Sequence, residues 1–340
     1  MTTKSISFIE QDQPLVSVVI PVYNVEKYIE QALESVVQQS YSKLEIIVVD
    51  DQSPDQSIDL VKTKFNDPRI RILHQKNRGL AGARNTGIRN ANGSFIAFLD
   101  SDDFWQYDKI EKHVSVMLAS PNCGISFCSS LFVDANSQSL NRLQAPKKKS
   151  NYQAKDIFCR NPIGNGSVPV IRKSILEQIR FYGDDKAENG KAYAQYFHES
   201  LRQSEDIDCW TRIAIITATD FHYIDEPLTN YRLIENSLSA DVETQFKTWL
   251  ALLDHLKSIA PEFVKKYGPV AKAFQYRYLA RRSLFQGQAK HALQFMFLAF
   301  KTKPFAMLYE IKKTIETLGA ALVLAVLPET VQRKIISRLL

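Results

Sequence analysis

Cysteine, histidine and unbroken apolar sequence are all scarce in this chain of 340 residues, and each scarcity excludes something. No apolar run reaches the ~20 residues that cross a bilayer as a helix. The longest, Leu318 to Leu327, is far shorter, so no membrane-spanning helix is predicted. The four cysteines, Cys123, Cys128, Cys159 and Cys209, form neither a Cys-x-x-Cys pair nor a zinc spacing, and so read as reduced core residues. None of the six histidines (74, 113, 198, 222, 255 and 291) has a partner at helical ligand spacing, so each is expected to be structural or exposed. The N-terminal stretch MTTKSISFIEQDQP carries a lysine but no apolar h-region. The expectation is therefore a chain that stays in the cytoplasm, where the sequons at Asn92 and Asn165 meet no glycosylation.

What is present is an ordinary globular composition, 45% hydrophobic and 24% charged with 12 Gly and 13 Pro, which argues against disordered, collagen-like and coiled-coil chains. The length suits one large α/β domain with an appendage, or two domains. Net charge is +6, but unevenly placed: residues 1–240 hold 27 Lys/Arg against 30 Asp/Glu, residues 241–340 hold 16 against 7. A basic helical tail suits an anionic surface such as a lipid headgroup layer, or nucleic acid; a solvated helix face is its commoner meaning.

The first hundred residues alternate strand and helix signals in the order that builds a parallel sheet. Val16 to Ile20 is a β-branched run ended by Pro21, and Asn24 is a plausible N-cap for a helix with apolar residues at Val25, Tyr28, Ile29, Ala32, Leu33 and Val36. Leu44 to Val49 suits a strand covered on both faces. Ser53-Pro54-Asp55-Gln56 reads as a capping box opening a helix to about Phe65. Arg69 to Leu73 gives a third strand, Ala81 to Asn90 a third helix and Ser94 to Leu99 a fourth strand, with a helix predicted from near Trp105.

Beyond residue 122 the order changes. Cys123 to Val133, Asn165 to Ile171 and Phe221 to Asp225 read as strands, 135–151 as a polar loop and 182–198 as a loop or lid. After Asp241 nearly everything has helical spacing: Phe246 to Leu256, Val270 to Phe285, Ala289 to Phe300, Phe305 to Leu318 and Val331 to Leu340. The run Leu318 to Leu327 could lie flat in a membrane interface or pack against its neighbours. The expected organisation is a flexible tail (1–13), two halves of one α/β domain (14–120 and 121–240) and a C-terminal helical region (241–340).

In open α/β sheets, ligands sit beyond the carboxyl ends of the parallel strands. There the chain places Pro21-Val-Tyr23-Asn24, then Asp50-Asp51-Gln52-Ser53, then Asp100-Ser101-Asp102-Asp103. Five carboxylates on one edge repel one another unless a cation or hydrogen-bond donors compensate them, and a divalent metal does so economically.

Taken together, VSVVIPVYN, EIIVVDDQSPD, NRGLAGARNTGI and GSFIAFLDSDDFW resemble, in order and spacing, the family 2 glycosyltransferases. The resemblance covers roughly residues 14–240 and implies a GT-A fold, a Rossmann-like, mixed but mostly parallel sheet flanked by helices, here with a C-terminal helical region. It implies a nucleoside-diphosphate sugar donor, with Asp102 as metal ligand and Asp100 nearer the ribose or metal, beside Ser101 in the D-x-D. The implied cofactor is Mn²⁺ or Mg²⁺, a hard cation that carboxylates hold and that stabilises a departing diphosphate. Asp51 corresponds to the residue that hydrogen-bonds the base, flanked by Pro21 and Tyr23, which suits the ring N–H of uracil. Arg84, in Ala-Arg-Asn, is placed to grip diphosphate oxygens; Arg78 could do so or form a surface salt bridge. Ser204-Glu205-Asp206 resembles the block whose second acid is the general base, which makes Asp206 the catalytic candidate. A lone base without an enzyme nucleophile implies inversion. An acidic helix N-terminus favoured by the macrodipole would also explain Glu205 and Asp206.

Two departures stand out. Many relatives carry a histidine shortly after a Tyr-Arg pair, where Tyr231-Arg232-Leu233-Ile234 has isoleucine, so metal binding would rest on carboxylates. The Gln-x-x-Arg-Trp signature of processive synthases is missing, which favours addition of one sugar. A cytoplasmic transferase with a basic tail suits acceptors presented at a membrane, so the expected work is assembly of a surface polysaccharide or glycolipid on a glycan or lipid-linked glycan acceptor. The expected place is the cytoplasm, peripheral on the inner face of the membrane through the basic helices, with no nucleic-acid partner. The alternatives are a degenerate sugar-nucleotide-binding scaffold and a haloacid-dehalogenase-type phosphatase. Phe98-Leu99-Asp100-Ser101-Asp102 suggests the phosphatase, although Phe104 stands where those enzymes carry Thr or Val.

Overall fold

The computed structural model describes residues 13–149, 151–186, 192–234, 242–328 and 331–332. Of the expected tail, only residue 13 falls among them. The chain divides into two units, one of residues 13–152, 163–199 and 216–232, the other of 153–162, 200–215 and the segment beyond 232.

In the first unit, strand β1 (Val16–Val22) is buried at every position, as its β-branched run requires. It runs parallel to β2 (Leu44–Asp50) on one side and to β4 (Phe95–Phe98) on the other, and β3 (Ile70–His74) continues the parallel set beside β2. Helices α1 (Ile29–Val37), α2 (Ser57–Lys64) and α3 (Gly79–Asn90) connect them. Gly87 lets α3 lie close on β1: a Cβ there would stand 2.2 Å from Val19 Cγ1. The core joins Val18, Ile20, Leu33, Ile46, Val48 and Ala97, each large side chain contributing about 1.5–3 kcal/mol by burial.

Beyond β4 the sheet becomes mixed. Its order is β3-β2-β1-β4-β8-β6-β11-β5, using β5 (Phe104–Trp105), β6 (Cys123–Val133), β8 (Val170–Arg172) and β11 (Asp220–Arg232), with β7 (Ser139–Gln144) beside β6. β8 is antiparallel to both β4 and β6, while β11 is parallel to β6. This mostly parallel sheet flanked by helices is the expected α/β class. Helices α4 (Lys109–Ala119) and α6 (Lys173–Gln178) and the hairpin β9 (Phe181–Lys186)–β10 (Ala192–Gln195) complete the unit.

Several local expectations need correction. Asn24 is not an N-cap: its φ is 56°, α1 starts only at Ile29, and the Asn24 N–H donates to Ser53 Oγ (2.8 Å). That contact leaves Asp55, rather than Ser53, to accept from the Ser57 N–H (3.1 Å) at the start of α2. The helix expected near Trp105 starts at Lys109, because Phe104 and Trp105 pair with β11. The polar loop contains β7, and the strand expected from Asn165 is formed only from Val170. β11 runs on well past Asp225 because register shifts absorb Pro227. The centre of the expected lid, 187–191, lies outside the described residues.

The second unit is helical: α5 (Ala154–Arg160), α7 (Glu205–Ile216), α8 (Val242–Ile259), α9 (Pro261–Phe285), α10 (Ala289–Thr302), a 3₁₀ segment (Pro304–Glu310) and α11 (Ile311–Ala325). Trp249, Leu252 and Leu256 of α8 bury against Phe158, Leu201 and Ala271. Ala280, Leu284, Met296, Ala321 and Leu324 close a second cluster. Glu310 is held by Arg160 and Arg277, and Arg277 Nη1 donates to Thr314 Oγ1 (2.9 Å). The helix expected from Val270 starts at Pro261, where the missing N–H costs nothing. The one expected over Phe305 to Leu318 is split into the 3₁₀ turn and α11, and Leu318 to Ala325 continue α11. Residues 333–340 of the last expected helix lie outside the described residues.

Candidate active site

The carboxyl ends of β1, β2 and β4 carry the acidic segments, and hydrogen bonds join them. The turn after β4 is closed by the Asp103 N–H donating to the Asp100 carbonyl (2.9 Å). Ser101 Oγ donates to the Pro21 carbonyl (2.8 Å), tying this turn to the end of β1. Pro21 is buried, and Tyr23, two residues on, is half-exposed. The Asp51 N–H bonds the Val22 carbonyl (3.0 Å), so the segment after β2 is anchored on β1 as well.

Asp51 is buried with both carboxylate oxygens in use. Oδ1 accepts from the Arg78 N–H (2.8 Å) and Gln75 Nε2 (2.6 Å), and Oδ2 from the Gly79 N–H (2.8 Å). The carboxylate therefore sits on the positive N-terminus of α3, a stable place for a negative charge. Asp50 is a turn former, accepting from the Ser53 N–H (2.8 Å) and bonded to His74 Nδ1 (2.8 Å).

Arg84 is almost fully buried, with its guanidinium 5.4 Å from the Phe197 ring centre and Nη2 donating to Asp100 Oδ1 (2.6 Å). Gly166 makes room for it: a Cβ there would stand 2.0 Å from Arg84 Nη2. The neighbouring Ser167 hydroxyl accepts from the Asp100 N–H (3.0 Å) and donates to Asp103 Oδ2 (2.6 Å). Asp103 is buried, and burial together with the charges of Asp102 and Asp100 pushes its carboxyl well above the usual range. Asp102 is partly exposed; burial first, then the Asp100 charge, pushes its carboxyl up to about 6, while Arg232 and Arg84 pull against that shift.

Arg232 braces this turn. Its N–H donates to Asp103 Oδ1 (2.9 Å), its Nε to the Asp102 carbonyl (2.7 Å) and its Nη2 to Gln31 Oε1 (2.7 Å). Nη1 reaches the carbonyls of Asp134 (3.1 Å) and Ala135 (3.2 Å), and the ring of Tyr28 lies 4.6 Å from its guanidinium carbon. Asn85, beside Arg84, accepts from the N–H groups of Tyr196 and Phe197 (2.9 Å each) and donates to Glu199 Oε1 (2.9 Å). Arg78 pairs with the same Glu199 (2.7 Å) and lies 4.3 Å from the centre of the Tyr193 ring, which is the salt-bridge alternative for this residue.

In the second unit, Glu205, Asp206 and Asp208 occupy the first turn of α7. Glu205 and Asp208 are buried and Asp206 is partly exposed. Asp208 accepts from Arg212 Nε (2.8 Å) and bonds His255 Nδ1 (2.7 Å). Burial alone would raise its pKa, but Arg212 and His255 outweigh that and hold it below the usual carboxylate range. Trp210 and Ile213 are fully buried, as expected. His113 is buried too, and burial with the nearby Lys109 pushes its imidazole well down.

Pro21, Ser101, Arg84, Asp100 and Asp102 are thus linked within the first unit, with Asp51 anchored to the same β1 end. Asp206 belongs to the second unit. Ser167, Gly166 and Arg232 contact these candidates, and sequence reasoning gives none of them a role. Asn165-Gly166-Ser167 reads as strand by pattern, and Arg232 draws notice only as the second member of the Tyr-Arg pair that precedes Ile234. Among the described residues no set of three His, Cys, Asp or Glu side chains is gathered as a metal centre, and Ile234 offers no ligating atom. The donor chemistry of the turn still fits a hard cation: two adjacent oxygen ligands, Asp100 and Asp102, whose mutual repulsion positive charge would relieve.

Known proteins resemble this chain in sequence and fold. The family profile described as "Glycosyl transferase family 2" matches residues 17–180. TuaG of Bacillus subtilis, a glycosyltransferase named for teichuronic acid biosynthesis, is 31% identical over 240 residues, 70% of this chain and 86% of its own. WfgD of Escherichia coli, named as a UDP-Glc:α-D-GlcNAc-diphosphoundecaprenol β-1,3-glucosyltransferase, is 41% identical over 139 residues, 40% of this chain and 53% of its own. Among solved structures, the Pyrobaculum calidifontis mannosyltransferase PcManGT, in complex with GDP-Man and Mn²⁺, has a TM-score of 0.57 at 19% identity. The match covers 95% of this chain and 88% of that one, a likeness of fold.

Proposed function

The chain belongs to glycosyl transferase family 2, and from that premise we propose that it moves one sugar, with inversion, from a UDP-sugar to a hydroxyl of a lipid-linked glycan. The product belongs to a cell-surface polysaccharide or glycolipid, and the work is done against a membrane surface. The naming of WfgD for a UDP-sugar donor and a diphosphoundecaprenol acceptor supports both substrate classes. The missing Gln-x-x-Arg-Trp signature supports a single transfer over polymerisation. The family match also disfavours the phosphatase and scaffold alternatives.

The observation that carries this reading is the turn at 100–103. It forces Asp102 beside Asp100 at the end of a parallel strand, braced from behind by Ser167 and Arg232. Asp102 and Asp100 would hold a divalent cation, Mn²⁺ or Mg²⁺, which when bound neutralises charge on the leaving diphosphate. Asp51, anchored on α3, takes the uracil N–H, with Pro21 and Tyr23 beside the base, and Ser101 fixes the turn to β1. Arg84 orients Asp100 and offers guanidinium charge to the diphosphate. Asp206, the acid least enclosed on the first turn of α7, removes the acceptor hydroxyl proton as the sugar transfers.

A panel of nucleotide sugars with Mn²⁺, read by product mass, tests the reading. Asp102→Ala should abolish metal-dependent turnover. Asp206→Asn should fold, bind nucleotide and lose transfer by roughly 10²–10⁴-fold. Unchanged transfer by Asp206→Asn would remove that residue from the base role.

A further inference from the structure

Helix α11 is amphipathic in a way its own packing does not use. Thr314, Thr317, Ala321 and Leu324 are buried against the rest of the helical unit. Ile311, Ile315, Leu322 and Val326 are 48, 62, 54 and 82% exposed, and with the partly buried Leu318 they fall within an arc of about 80° at 3.6 residues per turn. The 3₁₀ segment before it leaves Phe305, Leu308 and Tyr309 exposed, and α10 leaves Phe297 exposed. So large an apolar surface marks an interaction site.

The charge around it selects the partner. Lys290, Lys301, Lys303, Lys312 and Lys313 are all exposed. Of the two acids between residues 290 and 327, Glu310 is occupied by Arg160, Arg277 and Lys313, which leaves Glu316 alone facing solvent. An apolar stripe beside lysines complements a layer that is negative outside and hydrocarbon beneath. A second copy of the same face would set lysine against lysine. At 15 residues α11 is too short to cross the ~30 Å hydrocarbon core, so it would lie in the plane of the interface.

We propose that α11 and the preceding 3₁₀ segment form a docking face for an anionic bilayer, with Ile315 and Leu322 entering the headgroup–acyl boundary and Lys301, Lys303 and Lys312 meeting acidic headgroups. The face gives the membrane surface of the proposed function a location, and it stands on the helical unit's own surface.

The test is co-sedimentation of the full chain with vesicles of phosphatidylcholine, with and without phosphatidylglycerol, alongside hydrolysis of a UDP-sugar in free solution. The unaltered protein should sediment with the anionic vesicles and be released by salt. Converting Lys301, Lys303 and Lys312 to glutamine should weaken that binding by at least ~100-fold. Ile315→Glu with Leu322→Glu should abolish it, while both variants keep the circular dichroism spectrum and the donor hydrolysis of the parent. Failure of the unaltered chain to hydrolyse any UDP-sugar while it sediments with the anionic vesicles would count against the catalytic reading and leave the docking face standing. The docking face is overturned if the unaltered chain stays in the supernatant, or if the variants sediment like the parent. It is also overturned if the unaltered chain is a dimer in solution that Ile315→Glu dissociates, since a second copy would then cover the face.

Discussion

Gly166→Ala probes how tightly the acidic turn is held, because a single methyl group would meet its central ion pair. The added Cβ would stand 2.0 Å from Arg84 Nη2, 2.8 Å from Arg84 Cζ and 3.2 Å from Asp100 Oδ2. Arg84 cannot swing into water: it is 1% exposed and lies near the rings of Phe98 and Phe197. The guanidinium must withdraw by about 1 Å or more in a close-packed interior, which breaks its 2.6 Å bond to Asp100 Oδ1. Overpacking of this kind costs about 1–3 kcal/mol, or about 2–4 °C in Tm for each kcal/mol in a unit of this size. A misplacement near 1 Å costs roughly 10²-fold in turnover, so the loss of kcat/KM should be far out of proportion to the loss of stability. Thermal unfolding by circular dichroism and steady-state transfer kinetics measure the two effects separately. Gly166→Ala with the parent's kcat/KM would refute the claim that Arg84 and Asp100 are held for the chemistry. Arg84→Lys, which keeps the charge but loses the planar fork, should show the same disproportion.

The Asp208 network should make the helical unit acid-labile. The folded Asp208 lies below its unfolded value of about 3.9, so its contribution is fully present above about pH 4 and is lost as pH falls through the folded value. Asp208→Asn should remove that acid dependence and, by leaving buried Arg212 without its carboxylate, destabilise by about 3–5 kcal/mol; urea unfolding between pH 3 and 7 reads both. At Gly319, within α11, no heavy atom lies within 4 Å of an added Cβ, so Gly319→Ala should stabilise by about 0.5–1 kcal/mol in the same assay.

The β-branched runs at 16–20 and 44–49 announced a sheet buried on both faces, and strand–helix alternation at short spacing leaves few topologies open to such a chain. The motifs after those strands were legible for the same reason: a parallel sheet collects on one edge the segments that leave its strands. The cap assignment at Asn24 failed because its amide found a partner 29 residues away, and the one at Ser53 because the Gln56 N–H that the capping box needs donates to Glu26, 30 residues away. Residues 153–162 and 200–215 share a unit with the C-terminal helices through packing between segments far apart in sequence, which no local pattern encodes. Arg232 illustrates the same limit. Its side-chain partners run from Gln31 through Asp102 and Asp134 to Ser137, and only folding brings them around one guanidinium. Sequence by itself thus determined the sheet and the acids at its edge, because periodicity and strand ends are local properties. Tertiary structure decided which of those acids are braced, buried or paired, because burial and charge are shared among residues that meet only when the chain is folded.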